Sequence, residues 1–205
     1  MTQPSFVLRW LRGLGVILAL VGLISQGTAG AQTSLIDLRK AADQDDAIAQ
    51  YLLGQMYASG KGVPEDFTQA AIWFLKAAYQ GHANAQYTLG LNYATGRGVP
   101  ADDAQAVTWY RKAANQGHAN AQYNLAFMYA TALGVPQDDV EALKWQNLAV
   151  FMSRGDDKKR HANGRDVLKE RMTRAQLAEA QRRATEWQAA FEKKQLDSAV
   201  DLEEE

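Results

Sequence analysis

Apolar and polar positions recur along the middle of this chain with a fixed period of 36 residues. Three copies follow one another without a gap, starting at Ala47, Ala83 and Ala119. Each opens Ala-x-Ala-Gln-Tyr-x-Leu, and the same offset relates Tyr57, Tyr93 and Tyr129; Gly62, Gly98 and Gly134; Pro64, Pro100 and Pro136; and Trp73, Trp109 and Trp145. Within the second copy, Ala85, Leu89 and Tyr93 lie four apart and form one stripe of a helix over about 84–95. Gly96, Gly98 and Pro100 end it, because glycine takes positive φ at little cost and proline cannot continue a helix. Asp102 or Asp103 suits the N-cap of a second helix, over about 103–116, with Ala106, Trp109, Tyr110 and Ala113 on its apolar side and Gly117 as its left-handed terminator.

Repetition at this period predicts units that bury their apolar faces only against their neighbours. Small residues recur beside large ones: Gly54 and Gly90, and Ala77, Ala113 and Ala149, allow close helix approach while Tyr and Trp fill the adjoining space. The aromatic ladder therefore reads as core packing. Before the copies, Leu35, Leu38, Ala41 and Ala42 make the apolar stripe of an N-terminal capping helix within 32–46. After them the pattern changes. A charged helical stretch begins at Asp156. Thr173-Arg174-Ala175-Gln176 then forms a capping box for an amphipathic helix carrying Leu177, Ala180, Ala184, Trp187 and Phe191, to about Lys194. Residues 155–195 are expected to form a hairpin that covers the end of the stack, with a docking helix for a partner as the sharper alternative. The acidic tail 196–205 is expected to be disordered.

These residues resemble the Sel-1-like repeat family, a relative of the tetratricopeptide repeats. The resemblance covers 47–154 as repeats 47–82, 83–118 and 119–154, and the run from Met172 to Ala180 is similar to the endings of exported bacterial members. The third copy departs: Ala132 replaces the first turn glycine, Ala126 the helix glycine, and Ser153-Arg154 the Gly-His pair. The resemblance implies an all-α fold, a right-handed α-solenoid of antiparallel helix pairs with capping helices at both ends. It also implies an adaptor role toward other proteins.

Residues 1–31 read as a secretory signal. Arg9 and Arg12 precede an uncharged apolar run, Gly13 to Ile24, and Ala29-Gly30-Ala31 offers a cleavage site before Gln32. That run is shorter than the roughly 20 residues of a spanning helix. The expectation is a periplasmic or secreted protein without stable membrane insertion after cleavage, an uncleaved N-terminal anchor being the alternative. Cysteine is absent, so disulfides and thiol chemistry are excluded. Net charge is −1. Segment 156–194 has eleven basic and seven acidic residues, a surplus spread over two helices rather than the clustered patch nucleic acid requires.

Candidate chemistry is sparse. His82 and His118 occupy equivalent turns and read as exposed turn residues, too far apart to share zinc, and His161 stands in a charged helix with no motif around it. The paired acids Asp102-Asp103 and Asp138-Asp139 are explained by capping. No hydrolase elbow, phosphate loop or dinucleotide fingerprint is present. No catalytic residue, metal or cofactor is expected.

The positions that vary between copies are the candidates for recognition. On the first helices these are Ile48, Leu52, Gln55, Met56 and Ser59; Asn84, Thr88, Leu91, Asn92 and Thr95; and Asn120, Asn124, Phe127, Met128 and Thr131. Thr88, Leu91, Asn92, Asn124, Phe127 and Met128 are taken as the partner-binding set of a concave, uncharged groove suited to a peptide or an amphipathic helix. The leading reading is an exported, non-enzymatic adaptor that binds another protein or peptide. A hydrolase of a cell-wall or β-lactam-type substrate and a structural spacer in an envelope complex stand as alternatives. The partner and the oligomeric state are left open.

Overall fold

The computed structural model describes residues 28–201, with side chains placed from 35 to 199. All regular structure among the described residues is helical. The chain divides into two compact units, one ending at Gln80 and the other starting at Gly81. The expected signal over residues 1–31 lies outside the described residues except at 28–31, which open the first helix. No helix among the described residues is long and apolar enough to cross a membrane.

The first unit holds α1 (Thr28–Asp43), α2 (Ala47–Ser59) and α3 (Phe67–Tyr79). Helix α1 begins four residues before the expected start of the capping helix at 32. Asp46 caps α2 by accepting from the Ile48 and Ala49 amides at 2.8 and 2.9 Å, a device worth about 1 kcal/mol. Gly60 then takes the left-handed conformation that ends α2. The Asp66 amide donates back to the Tyr57 carbonyl, and the Asp66 carboxylate caps α3. Leu38, Ala42, Ala49, Leu53 and Trp73 form the core. Helices α2 and α3 approach so closely that a Cβ at Gly54 would lie 2.7 Å from the Phe74 ring.

The second unit repeats this plan and extends it. It contains α4 (Ala83–Thr95), α5 (Asp103–Asn115), α6 (Ala119–Thr131), α7 (Asp139–Met152), α8 (Gly155–Glu170) and α9 (Arg174–Asp201). Asp102 and Asp138 cap α5 and α7. Its largest cluster centres on Val107, Tyr110, Leu125, Met128, Trp145 and Leu148. A Cβ at Gly90 would lie 2.6 Å from the Tyr110 ring. In the third copy the ring position is Gln146, which leaves room for the methyl of Ala126; the two departures compensate each other. The turn after α6 keeps its geometry despite losing a glycine: Ala132 is left-handed at φ 58°. A turn built for glycine imposes this conformation on alanine at a cost of about 1 kcal/mol.

Buried glutamines tie the helix pairs together. In the first unit, Gln50 Nε2 donates to the Ala42 carbonyl at 3.0 Å, and Gln50 Oε1 accepts from Gln80 Nε2 at 2.8 Å. In the second, Gln86 Oε1 accepts from Gln116 at 2.7 Å, and Gln122 Nε2 donates to the Ala114 carbonyl at 3.1 Å. The residue that should complete the third rung is Met152, and Gln122 Oε1 is buried without a partner.

Helices α8 and α9 both pack principally on α7, the last helix of the third copy, rather than mainly on each other. The reason lies on α7, which buries Ala142 and Leu143 toward Leu168 of α8 and Ala180 of α9. Helix α9 also continues to Asp201 and so includes most of the segment expected to be disordered. Extending an existing helix adds a hydrogen bond for each residue fixed, without needing tertiary packing. The capping box forms as read: Thr173 N–H donates to Gln176 Oε1 at 2.9 Å, and Gln176 N–H to Thr173 Oγ1 at 3.3 Å.

Where α9 docks, α7 departs from the repeat. Lys76 and Lys112 lie over Trp73 and Trp109, with Nζ 4.2 and 3.9 Å from the ring centroids. The third equivalent is Leu148, which is buried, and Lys144 takes over the cation–π contact at 4.4 Å. Trp187 of α9 meets Trp145 edge-on, and Arg183 pairs with Glu141 at 2.8 Å.

Candidate functional site

The outward face of the first helices in the second unit, on α4 and α6, is where the proposed recognition residues fall. They divide into two sets. Thr88, Leu91 and Asn124 are half-buried, and Phe127 is 52% exposed. Asn92 and Met128 are buried instead, and Met128 belongs to the main core. These two assignments are corrected. Asn92 and Met128 lie three residues after the core leucines Leu89 and Leu125, which puts them on the core side of their helices. In the first unit, Met56 packs against the core at the same register position.

Most polar groups on this face are already engaged, the exposed Asn84 apart. Thr88, Thr95 and Thr131 donate their hydroxyls to the carbonyls four residues back, each at 2.8 Å. The Asn124 side chain lies near the hydroxyls of Tyr87 and Tyr110, where it favours their ionised forms against the larger effect of burial. Burial pushes the Tyr110 phenol up to about 12, so it is a neutral donor throughout the physiological range. Arg160 of α8 donates to Asn120 Oδ1 at 2.9 Å and to Asp157 at 3.0 Å. What remains free for recognition is chiefly apolar surface, Phe127 with Leu91, in a polar surround.

The turn histidines also differ from the sequence reading. His82 and His118 are half-buried N-caps, whose Nδ1 atoms accept from the Ala85 and Ala121 amides at 3.1 and 3.2 Å. The His118 ring stacks on Tyr87, with centroids 4.5 Å apart. Burial holds the His118 pKa below the usual imidazole value. His161 is fully buried on α8, 36 residues after Leu125 in the same register as Leu53 and Leu89. That register was legible in the sequence and pointed to burial, although the departure at 153–154 obscured it.

Trp73, Trp109 and Trp145 are buried, as the packing reading of the aromatic ladder expects. Among the described residues no group of three or more His, Cys, Asp or Glu could hold a metal ion.

The Sel1 repeat family model matches residues 47–82, 83–118 and 119–150. A Sel1 repeat protein from Oxalobacter formigenes is 37% identical; the similarity covers 63% of this chain and 97% of that one, with a TM-score of 0.57. A protective antigen present in uropathogenic Escherichia coli strains, displaying an SLR fold, is 26% identical, with 88% of this chain and 46% of that chain covered and a TM-score of 0.58. Cysteine rich protein B of Helicobacter pylori shares the fold at 18% identity, covering 65% and 96% of the two chains with a TM-score of 0.50. No curated protein sequence matches the chain. Repeats of this kind are typically protein-interaction modules and generally non-enzymatic. Three tandem matches, together with a relative covered almost end to end, place this chain in the Sel1 repeat family.

Proposed function

We propose that this protein is an exported adaptor that binds another protein or peptide through the α4–α6 face of its second unit. The observation that carries this reading is Phe127, a large apolar side chain 52% exposed on a face most of whose other groups are half-buried or internally bonded. Leu91 on α4 extends the apolar strip, and Asn124 and Thr88 flank it. A rigid face of this kind reduces the ordering cost of binding. Export is supported by Arg9 and Arg12, the apolar run that follows them, and the small residues at 29–31. On this reading the protein works in the periplasm or outside the cell.

Capture from an envelope extract tests the site. The chain is compared with Phe127→Ser and with Phe151→Ser, which removes an equally exposed phenylalanine (51%) from the second helix α7. Burying the exposed half of a phenylalanine is worth about 1 kcal/mol or slightly more, close to tenfold in Kd. A partner weakened by Phe127→Ser and retained by Phe151→Ser supports the reading. Equal capture by both variants moves the site off this face.

A further inference from the structure

Helix α8 carries a buried titratable group that the adaptor reading does not use. His161 stacks on Tyr123 of α6, with ring centroids 4.7 Å apart and planes 23° from parallel. In the preceding copy, His118 stacks on Tyr87 with nearly the same geometry, 4.5 Å and 25°. The third copy has Arg154 where that capping histidine should be, and α8 starts without a side-chain cap. His161, from the second turn of α8, supplies the ring to Tyr123 instead.

The surroundings fix its protonation state. His161 Nδ1 lies 3.2 Å from Ser153 Oγ and 3.4 Å from the Ala149 carbonyl. His161 Nε2 lies 3.5 Å from Nη2 of Arg160. A carbonyl only accepts and a guanidinium only donates. The proton therefore sits on Nδ1, and Nε2 presents its lone pair to Arg160. A second proton would place an N–H on Nε2 facing a cation, inside a fully buried site.

We propose that His161 is an acid-sensitive latch: while the imidazole is neutral it holds α8 against α6 and α7, and a second proton releases the helix. The groups facing it are few. Its own helix supplies Arg160, which opposes protonation, and Asp157, which favours it. Helix α6 supplies the Tyr123 ring. Helix α7 and its C-cap supply the Ala149 carbonyl, which favours protonation although burial outweighs it, and the Ser153 hydroxyl. The Gln146 side chain adds a bond from Nε2 to the His161 carbonyl at 2.6 Å, fixing the backbone at the same point. Burial holds the docked imidazole below its ordinary pKa of 6.5, and Arg160 acts in the same direction. The released helix takes up a proton near 6.5, so docking is strongest above that value. It weakens as pH falls below 6.5, until the docked imidazole itself titrates.

The test is amide hydrogen exchange along α8 in the full chain at pH 7.5 and 5.5, corrected for intrinsic exchange. His118→Asn is the background, because Asn keeps that N-cap and removes its titration. The expected result is a loss of α8 protection of up to about tenfold, the one-proton limit. His161→Leu, which restores the residue type of the three repeats, should remove that loss. Equal protection at both pH values overturns the proposal, as does a loss that persists in His161→Leu. Should that variant not fold, the imidazole titration of His161 followed by NMR decides. A midpoint below 6.5 supports the latch, and one at or above 6.5 overturns it.

Discussion

Substituting Met152→Gln should stabilise the second unit. Two rungs of the glutamine ladder are complete, Gln50 with Gln80 and Gln86 with Gln116, each pair 30 residues apart. The third pair would be Gln122 with residue 152, and the methionine there leaves Gln122 Oε1 buried and unbonded. An unsatisfied buried acceptor costs about 1–3 kcal/mol. A glutamine at 152 can supply the missing N–H. Against that gain stands lost packing, since Met152 Cε lies beside Gly117, 3.3 Å from where a Cβ would be, and the Phe191 ring occupies the same spot. The balance is a net stabilisation of about 1 kcal/mol, or about 4 °C in Tm for a unit of this size. Urea denaturation of the four chains of a double-mutant cycle (native, Met152→Gln, Gln122→Leu and both) measures it. The gain should vanish in the Gln122→Leu background. A gain of the same size there would refute the reasoning, because the stabilisation would then owe nothing to the amide pair.

The other predictions are more local. Ala132→Gly should stabilise by about 1 kcal/mol by relieving a left-handed alanine, whereas Gly134→Ala should destabilise by at least about 3 kcal/mol, both read from denaturation midpoints; a Cβ at Gly134 would lie 2.2 Å from the Asp103 backbone, which cannot give way as a side chain can. Leu148→Lys, which restores the lysine of the first two copies, should detach α9 by burying an unpaired charge; protease cleavage within 174–191 should accelerate while α4–α6 stay helical, and unchanged protection would contradict the account of α9 docking.

The departures of the third copy became interpretable only in three dimensions. Ala126 without its partner looks like a lost glycine; with Gln146 opposite, it is a compensated exchange of a ring for a smaller side chain. Leu148, Met152 and Arg154 each read as erosion of the pattern. In the fold, Leu148 and Met152 meet α9, and Arg154 stands where His161 substitutes for a missing ring. The candidate groove was partly legible. The stripe of varying residues is visible in the sequence, but Asn92 and Met128, which vary with it, turn inward because they lie three residues after Leu89 and Leu125.

The sequence by itself determined the helices, their pairing and the family. Those depend on a 36-residue period, on Asp caps, and on glycines whose φ requirement is local. It could not determine which face of each helix is buried at the edges of the pattern, or how far α9 extends. Nor could it show that a lone histidine in a charged segment fills a core position. Those outcomes depend on contacts between residues far apart in the chain, where a neighbour's ring, methyl group or lone pair decides whether a side chain is enclosed.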